Sequence, residues 1–113
     1  MQQANYQVIF FRSANQRPVD DFILEQDGVT HAKINKCIRL LFAYGSHAGW
    51  PFVKKIEKGL FELRIRGSVE IRFIFVVLGS SVVILHGFKK KTQKLPLKEL
   101  RLAKKRLTGV SHI

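Results

Sequence analysis

Apolar residues recur along this chain with two different periods, and the change between them divides it. Ile34, Ile38 and Leu41 fall at i, i+4 and i+7, the spacing of one helix face. They predict a helix over about 30–44, with Gly45 as its stop. Lys33, Lys36 and Arg39 fall away from that stripe. From Phe52 onward the period is two. Segments 52–57, 60–66, 69–78 and 81–88 read as strands, and the short breaks at Lys58 and Gly59, Gly67 and Ser68, and Gly79 and Ser80 predict antiparallel hairpins.

Three further elements complete the pattern. Residues 6–11 form a first strand. Pro18 opens a short helix, since proline is tolerated at a first helical position. Asp20, Asp21 and Glu25 suit that helix's positive end, and Phe22 and Ile23 supply its buried side. Ser46 to Pro51 is a loop, within which Trp50 reads as a core or lid residue rather than a base-stacking platform. Pro96 opens a last helix with Leu97, Leu100, Ala103 and Leu107 on one side, Glu99 in its first turn, Lys104, Lys105 and Arg106 in its last, and Gly109 beyond. The predicted order β-α-α-β-β-β-β-α is that of an α+β domain, an antiparallel sheet with helices packed on it.

The hairpin between strands 60–66 and 69–78 carries the most information. Phe61, Leu63 and Ile65 alternate with Glu62, Arg64 and Arg66, and Ile71, Phe73 and Phe75 alternate with Glu70 and Arg72. A two-residue loop sets Leu63 opposite Arg72 and mixes the faces, and a one-residue slip turns a strand inside out. Counting Val69 into the loop sets Ile65 opposite Ile71, Leu63 opposite Phe73 and Phe61 opposite Phe75. That register also sets Arg64 opposite Arg72 and Arg66 opposite Glu70. Like charges across a strand pair cost a few tenths to about 1 kcal/mol. Either the two guanidiniums converge where a phosphate sits, or they belong to a solvated face balanced by Glu62 and Glu70.

Composition sharpens the choice. With 113 residues, 46% apolar and nine phenylalanines, the chain makes one folded domain. Its net charge of +12 is uneven: before Lys54 five basic residues face four acidic ones, and from Lys54 onward fifteen face four. Lys89, Lys90, Lys91 and Lys94 stand together where the last strand hands over to the last helix. Such a run can simply blunt a sheet edge, but beside Arg64 and Arg72 it makes one cationic concavity suited to a polyanion. Arg101, Lys104 and Lys105 read as an exposed helix face. No apolar run approaches the roughly 18 residues of a membrane span, and the N-terminus lacks the order of a signal peptide, so a cytoplasmic protein is expected. Cys37 is alone and reads as a buried small hydrophobe. His31, His47, His86 and His112 lack ligand spacing, so no metal and no cofactor is assigned. His86, at a strand end, is either a general base or a packed structural histidine.

The motifs Gly59, Leu60, Phe61, Glu62, Leu63, Arg64, then Arg72 and Phe73, then Leu85, His86, Gly87, Phe88 and the run Lys89 to Lys94 with Pro96 resemble the phage-derived, HigB-like branch of the RelE/ParE toxin superfamily. The likeness extends over nearly the whole chain. It implies a compact antiparallel sheet with helices on one side, acting as the toxin of a type II toxin–antitoxin pair. Toxins of the RelE and HigB kind cut messenger in the ribosomal A site without a metal, by attack of the 2′-hydroxyl on the adjacent phosphate. The resemblance thus implies an mRNA endoribonuclease whose partners are the ribosome, mRNA and an antitoxin with a helix-turn-helix domain. By position, Arg64, Arg72 and Lys90 carry the catalytic site, His86 or a lysine of the run supplies proton transfer, and Arg66, Lys89, Lys91 and Lys94 bind RNA. Glu62 stands where RelE is basic, and Leu95 and Pro96 stand where RelE has a tyrosine. The alternative is a non-enzymatic toxin or a phage-derived nucleic-acid-binding module of the same fold, poisoning another target as ParE relatives do.

Overall fold

The computed structural model describes residues 5–110; His112 and the first four residues lie outside them. Five strands, β1 (Gln7–Phe10), β2 (Val53–Glu57), β3 (Leu60–Ile65), β4 (Ile71–Leu78) and β5 (Ser81–Lys89), form one sheet in the order β1-β5-β4-β3-β2. The helices are α1 (Pro18–Leu24), α2 (Gly28–Tyr44) and α3 (Leu97–Thr108). This is an α+β domain with the element order read from the sequence, except that one 3₁₀ turn, Gly45–Ala48, stands within the expected loop.

The helix boundaries follow from local chemistry. Pro18 occupies the first turn of α1, with Asp20 and Asp21 behind it. Helix α2 starts two residues earlier than its apolar stripe suggests, because the Asp27 side chain accepts a hydrogen bond from the Thr30 N–H at 2.8 Å and caps it. It ends at Gly45, whose φ of 57° disfavours other residues and whose N–H bonds to the Leu41 carbonyl.

Strands β3 and β4 pair in the register that the face-matching argument demands: Phe61 with Phe75, Leu63 with Phe73, Arg64 with Arg72, Ile65 with Ile71. Two expectations need correction. Strand β1 pairs with β5 in parallel, Gln7 against Ser81 and Phe10 against Ile84, so the sheet is antiparallel only from β5 to β2. The helices also do not share one side. Helices α1 and α2 cover the face of Leu63, Ile65, Phe73, Phe75 and Ile84, whereas Ala103, Leu100 and Leu107 of α3 pack on Leu60, Ile74, Val76, Val83 and Leu85 of the opposite face. Burial on both faces explains the unbroken apolar run in β4. Of the apolar side expected for α3, Leu97 stays exposed.

A bulge in β5 sets the geometry of the site. Ile84 pairs with Phe75 and His86 with Ile74, so Leu85 is the extra residue. The bulge shifts every later side chain by one position. Gly87 then faces α1, where an added Cβ would stand 2.5 Å from Phe73 and 2.8 Å from Phe22. The carbonyl of Leu85, the extra residue, accepts a hydrogen bond from Arg106 of α3 at 2.9 Å.

Candidate functional site

The part of the α3-side face beyond the helix carries polar side chains. Lys54 of β2 lies opposite Glu62 of β3, and Arg64 of β3 lies opposite Arg72 of β4. The backbone ladder continues past β5 through the Lys90 N–H to the Glu70 carbonyl at 2.8 Å. The resulting cleft, about 470 Å³, is lined by Lys54, Glu62, Arg64, Arg66, Glu70, Arg72, Lys90, Lys91, Thr92 and Gln93. Six cations meet two carboxylates there. The two arginines therefore share one concave surface with Lys90 and Lys91 of the lysine run.

The arginines are not left to repel each other freely. Glu62, only 3% exposed, places its Oε1 at 3.7 Å from the Arg72 Nε and 3.9 Å from the Arg64 Nε. Arg72, also 3% exposed, donates from Nη1 to the Ile71 carbonyl at 3.0 Å and from Nη2 to Glu70 Oε1 at 2.9 Å. Its Nε is buried without a hydrogen-bond partner. Burial works against the Glu70 carboxylate, but the hydrogen bond and charge of Arg72 outweigh it and lower its pKa. The other Glu70 oxygen lies 3.7 Å from the Arg66 Nε, so this carboxylate bridges two guanidiniums much as a phosphate would.

Arg64 is more open. Its Nη1 donates to the Pro51 carbonyl at 3.1 Å, and its guanidinium lies 4.3 Å from the Trp50 ring centre. Burial first, then the charges of Arg72 and Arg66, push its pKa down. Lys90 is shifted the same way, by burial first and then by Arg72, Lys54 and Arg64, against the opposing pull of Glu62. An ammonium held that way gives up its proton more readily than an ordinary lysine.

Three expected site residues stand elsewhere. The bulge turns Lys89 away from the cleft, onto the α2 side, where its charge helps the Thr30 N–H hold the Asp27 carboxyl below its ordinary range. Lys94 lines an adjoining cleft with Lys54, Glu62 and Lys90. His86 is packed against α3. Its Nε2 lies 2.7 Å from Glu99 and its Nδ1 3.2 Å from Arg106, and its ring stacks on Phe88. An arginine can only donate, so Nδ1 accepts and Nε2 carries the proton to Glu99. Burial, and secondarily Arg106, lower the His86 pKa despite Glu99. Both ring nitrogens are occupied, which leaves no free lone pair for a general base.

Trp50 also departs from expectation. It is 67% exposed and is neither core nor covered lid. Lys54 belongs to the cleft as well. Its place opposite Glu62 follows from extending the face-matching argument to β2, a step that alternation alone supports.

A small basic α+β domain with a cationic cleft on its sheet, beside the last helix, is the class that fold and site define. The chain belongs to the family described as "Phage derived protein Gp49-like (DUF891)", which matches residues 21–108 and so takes in every residue of the cleft. That family is phage-derived and of the RelE-like, toxin-like kind, a character that suggests an antitoxin partner. No curated protein matches the chain. Among the described residues, no helix is long and apolar enough to cross a membrane.

Proposed function

We propose that this protein is the toxin of a HigB-like pair, a ribosome-dependent endoribonuclease that cuts messenger by 2′-hydroxyl attack, giving a cyclic phosphate and a free 5′-oxygen. The observation that carries this reading is the meeting of Arg64, Arg72 and Lys90 on one cleft. The charge that develops on the phosphorane is stabilised by donors already in place. Arg64 and Lys91 hold the phosphate. Glu70 now occupies the position that one phosphate oxygen takes against Arg72 and Arg66, and being a third exposed it can swing aside. Lys90, whose pKa is lowered, protonates the departing 5′-oxygen, and the 2′-hydroxyl gives up its proton to water as its oxygen bonds to phosphorus. The surrounding cations favour docking among ribosomal RNA phosphates, and an antitoxin with a helix-turn-helix domain neutralises the toxin.

The test is Lys90→Met. Purified protein should cut messenger on translating ribosomes, with new 5′ ends mapped after induced expression, and the variant should lose about 100-fold or more in rate while keeping its unfolding midpoint. Efficient cutting of naked RNA, or full activity of the variant, contradicts the mechanism. One observation favours a second, non-enzymatic reading: Arg72 is already neutralised by two carboxylates. Growth arrest with messengers left intact would decide for that alternative.

A further inference from the structure

The loop of Trp50 is fastened to the cleft through a single residue. The Arg64 backbone N–H donates to the Phe52 carbonyl at 2.8 Å, its side chain donates to the Pro51 carbonyl at 3.1 Å, and its guanidinium stacks on the Trp50 ring at 4.3 Å. The turn is closed by N–H groups of Phe52 and Val53 on the Gly49 carbonyl, at 3.0 and 2.8 Å. An indole fixed in place this way yet 67% exposed leaves a large flat apolar surface in water. That surface adjoins a guanidinium which also lines the cationic cleft.

We propose that Trp50 is a nucleobase platform: the base of a single-stranded RNA nucleotide next to the phosphate held by Arg64 stacks on the indole. Every base has a π-face, and aromatic side chains beside a positive groove are the usual means of holding unpaired RNA. Arg64 joins the two halves of the subsite. It contributes charge to the phosphate and keeps the indole ring from rotating away. Stacking tolerates any base, so Trp50 adds affinity and positions the nucleotide while contributing little sequence preference. The inference rests on the reading of the cleft as an RNA site and adds a residue that the catalytic assignment does not use.

Trp50 is the only tryptophan in the chain, so its fluorescence reports this platform alone. The full-length protein is titrated with a 2′-O-methyl hexanucleotide, which cannot be cut, and with an abasic strand of equal length and charge. The base-bearing strand should quench the fluorescence and bind about 5- to 100-fold more tightly than the abasic strand. In Trp50→Ala, followed by anisotropy of labelled strands, that difference should collapse, and Trp50→Phe should retain part of it. Equal binding of both strands, with the tryptophan signal unmoved, overturns the platform and leaves the cleft as an RNA site. Failure of both strands to bind overturns the platform, whereas the RNA reading itself falls only if messenger on translating ribosomes is also left intact.

Discussion

Arg72→Met removes one charge from the sheet while keeping an unbranched side chain, and the structure sets what this costs. Glu62 is 3% exposed and lies 3.7 Å from the Arg72 Nε. At an effective dielectric constant of about 20, that separation corresponds to roughly 4.5 kcal/mol of attraction. The Arg72 contact with Glu70 adds little, because Glu70 is a third exposed and solvent screens it. Relief of the repulsion between Arg64 and Arg72 returns part of the loss. Arg64, at 3.9 Å, remains as the other ion-pair partner of that buried carboxylate among the described residues. Breaking a buried pair costs about 3–5 kcal/mol, and the remaining Arg64 contact argues for the lower end, about 3 kcal/mol. For a domain of this size that is a fall of about 12 °C in melting temperature. Urea unfolding followed by circular dichroism at pH 7 measures it. The double variant Glu62→Gln with Arg72→Met should recover at least half of the loss, because no uncompensated charge remains. A single-variant cost below about 1 kcal/mol, or a double variant no better than the single, would refute the buried pairing. Growth assays on Arg72 variants will therefore report folding before they report catalysis.

Two further outcomes follow from the packing. Gly87→Ala should lose about 1–3 kcal/mol, since its Cβ would press on Phe73 and Phe22, whose rings meet edge to face at 5.8 Å; unchanged stability would mean that α1 does not sit against β5 as described. His86 has its folded pKa below the ordinary 6.5, chiefly through burial, so below about pH 6.5 the unfolded chain takes up a proton that the native one refuses. Its contribution is present above that pH and is lost as pH falls from 6.5 towards the native value; His86→Asn should flatten this stretch of the urea-midpoint profile, and an unaltered slope would assign it to another group.

Matching faces across β3 and β4 was enough to find the register and the Arg64–Arg72 juxtaposition, because only one loop length closes the core. The helix stop at Gly45 and the first-turn acids of α1 were legible for the same reason: each satisfies a local rule. What stayed hidden depends on pairings between distant parts of the chain. A four-residue β1 carries no mark of its partner's direction. The side chosen by α3 was encoded, but only in the apolar run of Phe73, Ile74, Phe75 and Val76, which alternation treats as noise. The bulge at Leu85 leaves no sequence signature, yet it decides that Lys90 faces the cleft and Lys89 does not. The choice between a general base and a packed histidine at His86 stayed open because its partners Glu99 and Arg106 come from a helix thirteen and twenty residues away.

The parallel pairing of β1 with β5 has a consequence for the order of assembly. Arg64, Arg72 and Lys90 all lie within one stretch of neighbouring hairpins, whose short loops close early and at small entropic cost. Gln7, by contrast, must wait for Ser81, so about three quarters of the chain has been synthesised before the first strand finds its mate. During translation the hairpin of Arg64 and Arg72 can take shape while one border of the sheet is still bare, and Lys90, which follows Ser81, joins the cleft later. That border is where a nascent chain is most exposed to mispairing, and a partner that shields it would act as a folding aid as well as a restraint.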